Sequence, residues 1–194
     1  MDRLNANFAI SVKIVQFPLH PDTPQLGLTL EQLFAGRDID ISAAQARMKQ
    51  LMAAEGLPYG ERAMTYNSRL AQELAKWAES QPRGEAIHDA LFRAYFVDGV
   101  NIALSDNLVP IAEQVGLNAD QACEVLAGHQ TCDAVDADWQ RSRELGVTGV
   151  PTFVVGGRGV AGAQPYEVLE RMLVDAGAVR RKSHTCNYSK LENG

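Results

Sequence analysis

"GVTGVPTFVVGGRGVAGAQPYEVLERML", residues 146–173, is the stretch whose reading decides the fold. Pro151 opens a run from Thr152 to Val155 that is apolar and β-branched enough to form a strand. Gly156-Gly157 is a hairpin-turn dipeptide, so a second strand is expected near "RGVAG". Pro165 suits the first position of a helix, and Val168, Leu169, Met172 and Leu173 give that helix an apolar face. Gly146 has the place of a left-handed cap on the helix before it. A proline at the mouth of such a strand is a way of leaving backbone open to a ligand.

Upstream, residues 9–17, "AISVKIVQF", alternate with strand periodicity. "PLHPDTPQLGL" follows with Pro18, Pro21 and Pro24 and is loop. From there to residue 145 every segment reads as helix. Thr29 with Gln32, and Ser42 with Gln45, have capping-box spacing, and Met48, Leu51 and Met52 form the apolar face of the second helix. Asn67 caps "SRLAQELAKWAE", whose stripe is Leu70, Leu74, Trp77 and Ala78. "EAIHDALFRAYFV" is apolar nearly all round and is expected at the buried centre of the helical part. Ser105 or Asn107 caps the next helix and Asn118 the one after.

This order, strand then helices then strand, strand and helix, puts both ends of the chain in one sheet. Residues 1–27 and 146–182 are expected to form that sheet and its final helix. Residues 28–145 form an inserted helical domain, and 183–194 a polar tail.

A chain of 194 residues, 46% hydrophobic and 22% charged, has the make-up of one soluble domain with an insertion. A net charge of −6 argues against a nucleic-acid partner. The early apolar stretch alternates and carries Lys13, so it is neither a signal peptide nor a membrane span, and a cytoplasmic location without membrane contact is expected. Cys123, Cys132 and Cys186 contain no C-x-x-C, which excludes a disulfide-stapled scaffold.

Strand, crossover, hairpin and final helix with "GVPTFVV" at the strand mouth resemble the closing half of a thioredoxin fold. With "LFRAYFVDGVNI" at 91–102, "AEGLP" at 54–58, and Asn67, Ala71 and Leu74, the chain resembles the FrnE-like branch of the DsbA family. The family's usual His-Arg pair reads Gln72-Glu73 here. The resemblance implies an α/β, thioredoxin-like fold with a large all-helical insertion and a cis peptide before Pro151. It also implies a substrate groove at Val150, Pro151 and Thr152, and a protein or peptide thiol or disulfide as partner. Family members begin with a strand running into C-x-x-C at a helix start, where the helix dipole favours the thiolate. Here Met1 aligns inside that first helix, so the fold is truncated at its N-terminus and the dithiol is missing.

The chain is therefore expected to be redox-inactive as given, its lineage being that of protein disulfide oxidoreductases, with activity only in a longer form. One alternative is a non-catalytic peptide-binding module. Another resemblance, to 2-hydroxychromene-2-carboxylate isomerases and kappa-class glutathione transferases, would bring glutathione as cofactor. Those proteins carry Trp-Gly-x-Asp-Arg before the last helix, where this chain has Gly162-Ala163-Gln164-Pro165. No cofactor is otherwise implied.

Cys123 and Cys132 read as buried structural cysteines. Cys123, His129 and Cys132 have a weak zinc spacing without a fourth ligand, so no metal is expected. Cys186, in the tail, could oxidise adventitiously. His20 is a possible cleft residue, against a plain surface histidine, while His88, Tyr95 and Phe96 read as helix-face or core residues. A missing first strand would leave 10–17 and 151–155 with open edges. Direct pairing of the two, or closure by a second copy in a homodimer, is expected.

Overall fold

The computed structural model describes residues 1–181. Cys186 and the polar tail at 183–194 lie outside the described residues. In chain order the elements begin with α1 (Asp2–Asn7), β1 (Leu28–Thr29), α2 (Leu30–Leu33), α3 (Ile41–Ala54) and β2 (Met64–Thr65). Next come α4 (Arg69–Ala78), α5 (Ala86–Phe96), α6 (Ser105–Gln114), α7 (Ala119–Ala127) and α8 (Cys132–Glu144). Last are β3 (Thr152–Val155), β4 (Arg158–Ala161) and α9 (Tyr166–Asp175). The chain divides into two compact units, one from residues 1–15 with 143 onward, the other from 16–142.

In the first unit, Gly156 and Gly157 both have positive φ, 56° and 78°, the requirement of the tight turn between β3 and β4. Phe153 pairs with Val160 and Val155 with Arg158 across that turn. Leu4, Phe8 and Leu173 are the buried centre, and Val155, Tyr166 and Leu169 pack around them. Gly146, with φ 67°, ends α8 in the left-handed conformation. Pro165 stands one place earlier than its reading, at the N-cap of α9.

The expected strand at 9–17 does not form. Phe8 makes an isolated antiparallel bridge with Arg180, and Ala9 N–H donates to Val179 C=O at 2.8 Å. Beyond Ala9 the segment has the pattern of a strand but no ladder partner among the described residues, and a strand exists only through its ladder. Val12 and Ile14 are accordingly 46% and 44% exposed. Nor do the chain ends share one sheet: among the described residues β3 pairs with β4 alone, and residues 10–15 do not pair with β3.

In the second unit the core is helical. Leu74, Ala78, Ile87, Leu108, Ala112 and Ala122 are fully enclosed. The centre is α4, which buries most of its length, rather than α5. On α5 only Ile87, Leu91 and Ala94 are buried and Phe92 points to solvent, so its near-continuous apolar run did not mean burial on all sides. The capping box on α2 is complete, with Gln32 N–H on Thr29 Oγ1 at 3.1 Å and Thr29 N–H on Gln32 Oε1 at 2.8 Å. Asp40, not Ser42, caps α3: its Oδ1 accepts from Ala43 N–H at 2.9 Å, so the helix begins two residues earlier than expected. Asn118 caps α7 at 2.8 Å from Gln121 N–H. The stretch from 28 to 145 is not wholly helical, because Leu28–Thr29 pairs antiparallel with Met64–Thr65. Two-residue strands have no periodicity to read.

Candidate functional site: the outer edge of β3

Gly162 N–H donates to Pro151 C=O at 2.7 Å. Antiparallel pairs alternate between bonded and non-bonded. That bond therefore makes Phe153/Val160 and Val155/Arg158 the bonded pairs and Thr152/Ala161 and Val154/Gly159 the non-bonded ones. In non-bonded pairs the N–H and C=O groups point away from the partner strand. Thr152 and Val154 thus present their backbone groups on the edge opposite β4, where no strand among the described residues lies. An edge of this kind is a template for an extended chain.

The three groove residues read from the sequence stand at the mouth of that edge. The Val150–Pro151 peptide is cis, Val150 is exposed, and Pro151 is exposed beside it. Thr152 is half-buried and its Oγ1 donates to Gly149 C=O at 2.7 Å, which fixes the turn into the strand. The missing N–H of Pro151 faces the β4 side in this register, so the proline costs the outer edge no donor, and the outward donors are Thr152 and Val154. Val154, which the sequence reading did not single out, faces the same open edge as Thr152; only the register reveals it. On the face of the hairpin bearing Thr152 and Val154, a cleft of about 280 Å³ is floored by Gly159 and Ala161 and walled by Leu145 to Thr148.

His20 belongs to the other unit, in the proline-rich loop. It is half-buried, and its pKa is lowered by burial first and then by the charges of Arg37 and Arg62. Asn67 is not the cap of α4, whose N-cap is Ser68: its Oδ1 accepts from Arg69 N–H two residues on, and its Nδ2 donates to the Pro21 and Thr23 carbonyls at 2.9 Å each. Tyr95 and Phe96 are half-buried neighbours with ring centroids 4.8 Å apart.

The cysteines need one correction. Cys123 is exposed and Cys132 half-buried, because α7 buries Ala122, Val125 and Leu126 and leaves 123 off that face. The Cys132 thiol is pushed up in pKa by its partial covering and then by Asp133, which disfavours the thiolate. His129 Nδ1 is engaged by the Glu73 carboxylate at 2.9 Å, and no group of three metal-ligating side chains converges among the described residues. No helix among the described residues is long and apolar enough to cross a membrane.

A family model described as the DSBA-like thioredoxin domain matches residues 1–174. A probable DsbA oxidoreductase from Streptomyces coelicolor is 32% identical, with a TM-score of 0.79 over 87% of this chain and 76% of that one. A putative protein disulfide isomerase from Nitrosomonas europaea shares the fold at 16% identity and a TM-score of 0.60, covering 77% of this chain and 75% of its own. A 2-hydroxychromene-2-carboxylate isomerase does so at 19% and 0.59, over 71% and 66% of the two chains. The uncharacterised protein YwbO of Bacillus subtilis (strain 168) is 29% identical over 107 residues, 55% of this chain. The chain thus spans about half, 54%, of the length of that curated relative.

Proposed function

This chain belongs to the DSBA-like thioredoxin domain family, and on that premise we propose that it holds an extended peptide segment of a protein thiol or disulfide partner along β3. Its fold is thioredoxin-like, mixed α/β with a helical insertion. The observation that carries the proposal is the outward set of backbone groups on Thr152 and Val154, beside the exposed Val150 and Pro151. A peptide strand gains its affinity there from main-chain hydrogen bonds and its selectivity from alternate side chains over the cleft.

The proposal includes redox inactivity of these 194 residues. Thiol–disulfide exchange needs a thiolate to attack a disulfide sulfur, forming a mixed disulfide and releasing the other sulfur as thiolate. A second thiol must then resolve the mixed disulfide. No two cysteines of this sequence are vicinal in the C-x-x-C sense, and Cys123 and Cys132 both belong to the unit that lacks β3. The outer edge of β3 therefore acts in binding.

Two measurements on the full chain test this. A fluorescently labelled, cysteine-free extended peptide should bind with saturable anisotropy. Thr152→Pro, which deletes an outward N–H, should weaken binding at least about fivefold, since one lost hydrogen bond is worth roughly 1 kcal/mol. Equal binding by the variant removes β3 as the groove. In insulin reduction, the Cys186→Ser variant should show no turnover above buffer; turnover there overturns the inactive reading. Turnover appearing only with added glutathione favours the isomerase- and transferase-like alternative.

A further inference from the structure

α3 is a helix of 14 residues, none of them buried. A helix of that length is marginal in water on its own hydrogen bonds and takes its stability from packing an apolar face. One tie to the rest of the helical unit is polar, Gln45 Oε1 accepting from Arg62 N–H at 3.3 Å. Met48 and Leu51 are 44% and 51% exposed, and Ala44 is exposed as well.

Helical spacing sorts this side of α3 into three lines. Ala44 and Leu51 stand about two turns apart and lie nearly in line along the axis. Asp40, the N-cap, and Arg47 form a second line on one flank of it. Ile41 and Met48 form a third on the other flank. Among the described residues neither Asp40 nor Arg47 makes an ion pair. The positions one turn either side of Arg47 are Ala43, Ala44, Gln50 and Leu51, so its own helix offers it no acid.

We infer that α3 is an interface between two copies of this chain, packed antiparallel and crossing at Ala44, whose small side chain lets the helix axes approach. Along the axis Asp40 lies about 6 Å before Ala44 and Arg47 about 4.5 Å after it. A two-fold axis at Ala44 brings the same flank of both helices together, so each Asp40 comes level with the second copy's Arg47 to within about 1.5 Å. On the other flank Ile41 lies about 4.5 Å before the crossing and Met48 about 6 Å after it, so these apolar side chains meet in the same way. Each ion pair and each apolar contact is made twice by the one operation. Antiparallel packing also sets the two helix dipoles in a favourable sense.

The charge order selects this occupant. A helix lying on anionic lipid is rich in basic residues on its polar face, whereas here an acid and a base share one border of the apolar stripe. The interface uses no residue of β3, so it does not depend on peptide binding there.

Sedimentation velocity of the full chain over a range of concentrations tests the interface, with far-UV circular dichroism as the check on folding. The parent protein should dimerise. Arg47→Glu, at an exposed position, sets like charges face to face and should raise the dimer dissociation constant at least about tenfold at unchanged helix content. Lys49→Glu makes the same change of charge off the three lines and should shift it by no more than about twofold, through screened long-range charge alone. In a Cys123→Ser, Cys132→Ser, Cys186→Ser background, Ala44→Cys should form an intermolecular disulfide on copper–phenanthroline oxidation, and Gln50→Cys should not. A monomer at every concentration, a dimer that survives Arg47→Glu, or equal cross-linking at both positions overturns the interface. So does a dimer that dissociates in Val154→Lys but not in Arg47→Glu, which would belong to the β3 edge. Binding of a strictly monomeric chain to anionic vesicles overturns it too, with lipid as the occupant.

Discussion

The N–H of Gly162 donates to the carbonyl of Pro151 at 2.7 Å, and the phase of the β3–β4 ladder follows from it. Had the bonded pair been Thr152 and Ala161, the outward groups would belong to Phe153, whose neighbours Val154 and Thr152 line the open cleft. The phase decides which backbone atoms meet a partner.

Val154→Lys tests that edge without disturbing the hairpin. Val154 is 41% exposed, so the change should alter stability by no more than about 0.5 kcal/mol. A lysine on an open edge obstructs strand pairing. Peptide affinity should fall at least about fivefold, roughly 1 kcal/mol. Any concentration-dependent self-association through the same edge should fall with it. Sedimentation velocity and anisotropy give both readings; unchanged values in both would mean the edge is not where partners pair.

Glu73 ties α4 to the turn between α7 and α8. It is 1% exposed, accepts from Arg69 Nε at 2.8 Å, and meets His129 Nδ1 at 2.9 Å, while Thr131 Oγ1 donates to its carbonyl. Glu73→Ala should destabilise the helical unit by about 2–3 kcal/mol, below the usual range for a broken buried pair because Arg69 and His129 reach solvent. Urea unfolding measures it; a loss under about 0.5 kcal/mol would contradict a structural role.

Leu74→Ala and Phe92→Ala should differ sharply. Leu74 is fully enclosed in the core and its truncation should cost about 2–5 kcal/mol. Phe92 is 59% exposed, and its truncation should cost less than about 1 kcal/mol. Comparable losses in the two thermal melts would place α5, not α4, at the centre.

Stability should fall on acidification through two histidines. His88 has its pKa lowered by burial, with Lys76 adding to that and Glu79 and Asp89 opposing it; His20 is lowered by burial, Arg37 and Arg62. For each, the unfolded chain binds its proton first as pH drops below the ordinary value of 6.5. Their contribution is therefore complete above that pH and is lost as pH falls through the lower folded values. Urea midpoints from pH 7.5 to 5 should decline, and His88→Gln should flatten part of the decline. A slope identical to the parent protein's would exclude His88 as a contributor.

Short-range chemistry was legible in the residues themselves. Pro151, Gly156-Gly157 and the apolar pattern of 166–173 specify a strand mouth, a turn and a helix through φ limits and side-chain period alone. The capping box at Thr29 and the cap at Asn118 need only a side chain and an amide three residues apart. Other features depended on partners distant in sequence. Residues 10–15 have every local property of a strand and form none, because a ladder needs a second chain segment at the right spacing. The β1–β2 pair, two residues long on each side, exists only through a contact spanning residues 28 to 65.

The sequence by itself determined where the chain turns, caps and opens a strand, and by its "GVPTFVV" stretch the family to which it belongs. Tertiary structure alone decided that Thr152 and Val154 carry the outward hydrogen-bonding groups. It alone buried Glu73 between Arg69 and His129. The physical reason is range: dihedral preference and capping act within a turn of chain, whereas ladder phase, charge clustering and burial depend on which distant segments are packed together.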